Sequence, residues 1–272
     1  LRRLGGNCYL TPVYWECMES APGKYDFALV DGVIEQARRE GVRLILLWFG
    51  LWKNGKSEYI PGWMKDDPQY FFLQGADGRL HESVSPFCEA AVERDRQAFT
   101  ALMAHLRDTD GERTVIMVQV ENEVGAWGHP RDCCPVSNEQ FEAEIPAEMA
   151  ELYDKSGNWR EAFGEDAEEY FMAWALSKAV GRIAASGAAA AMAVRRISAS
   201  SGQSPWEIKI CFCSFSRFSL NFVISASMAL RRPRTLAHEM ICPVALPKRM
   251  GLMFSTVPSA AVTPLTRPVF LR

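Results

Sequence analysis

Two carboxylates and an amide, Glu121, Asn122 and Glu123, follow directly on an apolar run in the stretch VIMVQVENEVGAWG, residues 115–128. Ionised carboxylates are costly to bury unless paired, so packing alone gives no reason to end an apolar strand this way. Two further apolar runs end similarly. The first delivers Tyr14, Trp15 and Glu16, and the second Trp48, Trp52, Lys53 and Asn54, with Trp127 a little beyond the third. A carboxylic acid can protonate a glycosidic oxygen, amides and Lys can bond hydroxyls, and indoles can stack on the apolar face of a pyranose. That mixture is what a sugar site requires. Each residue also has a plainer reading. Glu123 alone would be a solvated strand end, Glu16 an ion-pair partner at the rim, and Trp48 packing. One of Tyr14 and Trp15 is expected to face the site, while Trp52, beside Lys53 and Asn54, leans towards substrate.

The elements that must position these groups alternate. Residues 6–13 and 42–49 read as short buried strands, and residues 115–120 as a third. Residues 27–40 carry apolar side chains at helical spacing and Gly41 stops them, with Asp26 as a turn or cap residue. Residues 88–106 form a second helix with Phe99, Leu102, Met103 and Leu106 on one face, and residues 167–185 a third. Strands apolar on both faces alternating with helices predict an α/β fold of parallel βαβ units. In a (β/α) barrel the active site lies at the carboxyl ends of the strands, where the polar and aromatic groups occur here.

Residues 4–187 resemble glycoside hydrolase family 35 and its relatives among the clan A barrels, a group that includes β-galactosidases. The matching segments are GNCYLTPVYWECMESAPGKYDF, PGWMKDDP, SPF with the helix after it, and VIMVQVENEVG. The resemblance implies a partial (β/α)8 TIM barrel covering about strands two to four. It makes Glu123 the general acid/base of a retaining glycosidase and Asn122 a ligand of the hydroxyl beside the reacting carbon. Tyr14, Glu16, Trp52 and Glu121 become substrate-side residues, Glu121 chiefly a supporting one. Two departures stand out. The segment Trp48-Phe49-Gly50-Leu51-Trp52 replaces the Cys-Ala-Glu-Trp usual in that family's galactosidases, which points to a divergent branch. The second carboxylate that retention requires comes from a later strand, and neither Glu207 nor Glu239 has the family's surroundings, so no nucleophile is assigned. The activity implied is hydrolysis of β-linked, galactosyl sugars. The alternatives are a carbohydrate-binding pseudoenzyme and a clan A glucanase or mannanase.

The whole chain sets further bounds. Its net charge of −3 over 272 residues gives no case for nucleic acid, and no apolar run reaches the length of a membrane span. The eight Cys include Cys133-Cys134 and Cys211-x-Cys213, which are not zinc spacings, so free thiols are expected. His129 has no partner at metal spacing, and His81, His105 and His238 suggest no triad. No G-x-S-x-G, P-loop or G-x-G-x-x-G is present, and neither metal nor cofactor is implied. The partner expected is a carbohydrate. The opening LRRLGGN lacks Met and reads as an internal piece, which leaves the compartment open. Composition changes near Gly187. Residues 1–187 hold 19 basic and 31 acidic residues, against 11 and 2 in residues 188–272. The second segment, rich in Ser, Arg and Pro and including ALRRPRT, reads as an irregular tail. Because the break falls inside a helix, a shifted reading frame explains it better than a basic interaction tail. Three strands cannot close a barrel, so the chain by itself is expected to be inactive and poorly soluble.

Overall fold

The computed structural model describes residues 5–192, together with the backbone of Ile208–Cys211 and Val223–Ala226. Glu207, Glu239, His238 and the ALRRPRT segment lie outside the described residues. In chain order the elements begin with strand β1 (Cys8–Tyr14), the single-turn helix α1 (Trp15–Met18) and a hairpin of β2 (Glu19–Ala21) and β3 (Lys24–Tyr25). Helix α2 (Ala28–Glu40) and strand β4 (Arg43–Lys53) come next, then the short helix α3 (Gly62–Lys65) and a second hairpin, β5 (Phe72–Gln74) with β6 (Leu80–Val84). Helix α4 (Glu89–Thr109) leads into strand β7 (Val115–Asn122). Helices α5 (Pro135–Glu142), α6 (Ala147–Tyr153) and α7 (Trp159–Phe163) precede the long helix α8 (Ala167–Met192). Strands β8 (Ile208–Cys211) and β9 (Val223–Ala226) complete the described chain.

The main sheet has the order β1-β4-β7-β8-β9. Strands β1, β4, β7 and β8 run parallel, and β9 returns antiparallel to β8. The three parallel strands read from sequence are therefore present in the expected order, each running further than its apolar core. The α/β architecture and its parallel units stand as expected. Strands β8 and β9 fall in the segment read as irregular, so part of that segment is paired backbone.

Burial explains why these segments take these forms. In β4, Leu44, Leu46 and Trp48 are buried on one side of the pleat, and in β7 Val115, Val118 and Val120 are buried. Helix α2 turns Val30, Ile34 and Ala37 inward and ends at Gly41, whose left-handed φ of 65° lets its N–H reach back to the Ala37 and Arg38 carbonyls. Asp26 is a turn residue at the entry, its Oδ1 accepting from the Ala28 N–H at 2.9 Å, while the N-cap position is Phe27. Helix α4 buries the four residues predicted for its inner face, Phe99, Leu102, Met103 and Leu106. Helix α8 lies against it so closely that a Cβ on Gly187 would come within 2.2 Å of the Phe99 ring. A second apolar cluster, built from Phe87, Phe141, Trp159 and Phe171, seats α5 to α7 against the start of α8.

Candidate active site

The carboxyl ends of β1, β4 and β7 lie side by side, because the three strands are neighbours in one parallel sheet. Pairing between β4 and β7 is regular from Ile45↔Met117 to Trp48↔Val120, then resumes at Lys53↔Asn122. Four residues of β4, Phe49 to Trp52, therefore oppose the single residue Glu121. This is a large bulge, of the kind that re-aims side chains beside functional sites. Glu121 and Glu123 adopt left-handed φ values of 60° and 52°, and Asn54 across the gap adopts 54°. Each such non-glycine residue costs on the order of 1–3 kcal/mol and persists only where its surroundings over-determine it. The turn at Glu121 takes Asn122 and Glu123 out of strict pleat alternation.

Beneath the bulge sit two fully buried carboxyls. Glu121 accepts from the Trp52 N–H at 2.7 Å and the Leu51 N–H at 3.2 Å. Asp95, from α4, accepts from the Leu51 N–H and the Trp48 indole N–H, both at 2.8 Å. Burial raises the pKa of Asp95, and burial together with the charge of Asp95 raises that of Glu121 well above the usual carboxylate range. Gly50 is required here by space alone. A Cβ on it would meet Asp95 Oδ2 at 2.3 Å and Glu121 Oε1 at 2.5 Å.

The exposed side of the strand ends is polar and aromatic. The Asn122 side chain accepts from Gln119 Nε2 at 2.8 Å and donates to Asn54 Oδ1 at 3.4 Å. The backbone closes the same gap, with Asn54 N–H on the Asn122 carbonyl at 3.1 Å and Gly55 N–H on that of Glu123 at 2.9 Å. Lys53 Nζ contacts Asn54 Oδ1 and lies 5.1 Å from the centre of the Phe49 ring. Glu123 is half-buried, and among the described residues no hydrogen bond or ion pair holds its carboxylate. Tyr14 packs against Phe49 and Tyr59, with ring centres 5.6 and 4.8 Å away. Trp127 is 60% exposed, and its indole covers the Cα of Gly55.

Several expectations are corrected by this geometry. Trp52 is not available to substrate: it is completely buried, with its indole N–H on the Val84 carbonyl at 3.0 Å. Glu121 is equally inaccessible, its carboxyl accepting from the backbone N–H groups of Leu51 and Trp52. Glu16 is exposed at the rim and lies 3.6 Å from Lys65 Nζ, the ion-pair arrangement weighed for it above. Of the pair Tyr14 and Trp15, Trp15 is in the core and Tyr14 is only half-buried. Trp48 is core packing. Sequence reading passed over Phe49, Tyr59, Gln119 and Asp95. For Asp95 a signal existed, since it lies four residues from both Ala91 and Phe99 on the buried stripe of α4.

Among the described residues no cluster of three His, Cys, Asp or Glu could hold a metal ion, and no helix is long and apolar enough to cross a membrane. Cys8, Cys17, Cys88, Cys133 and Cys134 are free thiols, and burial pushes Cys134 up to about 11. His81 and His129, unpaired in the sequence reading, lie with ring centres 3.7 Å apart.

A family model for the β-galactosidases of glycoside hydrolase family 42 matches residues 7–174. No curated protein matches the chain. Among solved structures, β-galactosidase from Bacillus circulans sp. alkalophilus is 14% identical with a TM-score of 0.46, over 76% of this chain and 32% of its own. The cold-adapted β-galactosidase from Rahnella sp. R3 is 15% identical with a TM-score of 0.47, over 76% of this chain and 31% of its own. The catalytic domain of β-amylase from Paenibacillus polymyxa is 14% identical with a TM-score of 0.46, over 68% of this chain and 56% of its own. The chain thus spans about a third of those β-galactosidase chains. The resemblance drawn to family 35 is corrected in number, though its kinship among glycoside hydrolases holds. The match takes in β1, β4 and β7 with the Asn122-Glu123 pair and covers well over half of the sequence, and by it the chain belongs to glycoside hydrolase family 42.

Proposed function

We propose that this chain is the part of a retaining β-galactosidase that carries the acid/base and the first sugar contacts. The observation that carries the reading is Glu123, a half-buried carboxylate with no partner among the described residues, on a left-handed backbone turn at the end of β7. Beside it stands an amide, Asn122, already fixed by Gln119 and Asn54. Glu123 protonates the glycosidic oxygen as the bond to the leaving group breaks, then takes a proton from the water that releases the sugar. Asn122 bonds the hydroxyl next to the reacting carbon. Tyr14 borders the sugar, Lys53 and Asn54 offer polar contacts, and Trp127 provides an exposed ring for the acceptor side. Glu16 contributes at the rim through Lys65. Retention requires a second carboxyl about 5 Å from the first. Glu121 cannot serve, being buried and occupied by two N–H groups, so the nucleophile belongs to a later strand of a closed (β/α)8 barrel.

That missing partner favours a second reading, a chain that binds carbohydrate without turning it over. One experiment separates the two. A version of the protein that carries a complete barrel is offered an aryl β-galactoside and, separately, galactose in a calorimeter. Binding without hydrolysis supports the binding reading. Hydrolysis that Glu123→Gln abolishes supports a complete site. Neither signal, from a folded protein, overturns the proposal that these residues form a sugar site in this chain.

A further inference from the structure

Asp95 and Glu121 have no part in the chemistry proposed above, yet both bind the bulge of β4 directly beneath it. Both are buried to 1% exposure or less. They reach the bulge from different elements, Asp95 from α4 and Glu121 from β7, and converge on one donor. The Leu51 N–H lies 2.8 Å from Asp95 Oδ2 and 3.2 Å from Glu121 Oε1. Among the described residues no Lys, Arg or His is ion-paired with either carboxyl. Two ionised carboxylates so close in a dry interior cannot coexist, so one proton stays with the pair. Glu19 in β2, itself buried and bound by the Trp15 indole, is the further titratable group acting on Asp95, and its charge makes ionisation harder still.

What the pair holds matters more than its charge. Every donor it binds, the Trp48 indole and the backbone N–H groups of Leu51 and Trp52, belongs to the bulging end of β4. The left-handed turn that redirects the chain towards Asn122 and Glu123 is at Glu121 itself. Anchoring the Glu121 side chain therefore fixes both edges of the gap. On one edge are Asn54 and Gly55. On the other are the Asn122 and Glu123 carbonyls that their N–H groups meet. We propose that Asp95 and Glu121, sharing one proton, are positioning residues that set Asn122 and Glu123 against the end of β4. The inference rests on the sugar-site reading and deepens it, by naming what holds that site in register.

The test is a pH titration of the whole chain followed by NMR, using backbone amides of Leu51 and Trp52 and the Trp48 indole as direct reporters. The Gly55 amide and the Asn122 side-chain amide report on the gap. All five signals are expected to move together, with one midpoint above the ordinary carboxylate range. Asp95→Asn and Glu121→Gln each put an amide where the protonated carboxyl stood. Each is expected to keep the far-ultraviolet circular dichroism and to remove the raised midpoint at all reporters, leaving the surviving carboxyl to titrate lower. Glu19→Gln should lower the midpoint and keep the titration. An ordinary carboxylate midpoint at Leu51 and Trp52 overturns the shared proton. Movement there with Gly55 and Asn122 fixed overturns the positioning role. If neither amide variant folds, the wild-type titration still decides both points. Absence of galactoside binding with the titration intact would instead count against the sugar-site reading alone.

Discussion

At the scale of single residues, the proposed chemistry depends on Glu123 being reachable and Glu121 not. They stand two apart, on backbone of the same left-handed hand, and do opposite jobs. Under the proposed function, Glu123→Gln in a galactosidase that contains this segment should lower kcat by about 10²–10⁴-fold, the usual contribution of a positioned general acid. The loss should shrink for aryl galactosides whose leaving group needs no proton, which steady-state kinetics on a leaving-group series would read. Gly50 is a second residue where one atom decides the outcome. Gly50→Ala drives a methyl into the Asp95 and Glu121 oxygens and should destabilise the fold by about 1–3 kcal/mol, measured by urea unfolding. Trp127→Ala, by contrast, removes a ring that is mostly in solvent. It should leave stability within about 0.5 kcal/mol and weaken sugar binding alone.

At the scale of elements, the sheet and its helices were largely legible and the site's inner face was not. Periodicity identified β1, β4, β7, α2, α4 and α8, because each carries a long apolar run or stripe. The bulge in β4 left no trace in that pattern, since Phe49 to Trp52 are apolar whether or not they pair. Trp52 was misplaced for that reason: extra residues rotated it into the core. Helices α5, α6 and α7 were missed because they are short, and the Phe141, Trp159 and Phe171 cluster holds them rather than any stripe of their own. The Asp95–Glu121 contact joins α4 to β7, and its pH dependence belongs at this scale. Burial raises both groups, so their contribution to stability is full below the unfolded carboxylate range, about pH 4. It is lost as pH climbs through the raised folded value. The urea midpoint should therefore fall as pH rises above that range, and Glu121→Gln should flatten the slope. Helix contact can be tested separately. Gly187→Ala should part α8 from Phe99 at a cost of about 1–3 kcal/mol in the same assay.

At the scale of the molecule, β1 is an edge of the sheet among the described residues. Leu10 on that strand is 64% exposed, and Leu29 on the neighbouring α2 is 67% exposed. Large apolar side chains around an unpaired strand edge invite association with other chains. The purified chain is expected to self-associate, and Leu29→Lys should raise the soluble monomer fraction seen by light scattering. The composition break at Gly187 falls within α8, which continues through it to Met192.

The bulge also has a historical meaning. Position 50 admits no side chain while Asp95 and Glu121 occupy their places, and removing either acid alone strands a buried partner. The three positions can change only in a particular order, through a first step that relieves the crowding. Any lineage with a larger residue at position 50 must have given up the acid pair beforehand. A double-mutant cycle of Gly50→Ala with Glu121→Ala would record that dependence as a strong departure from additivity.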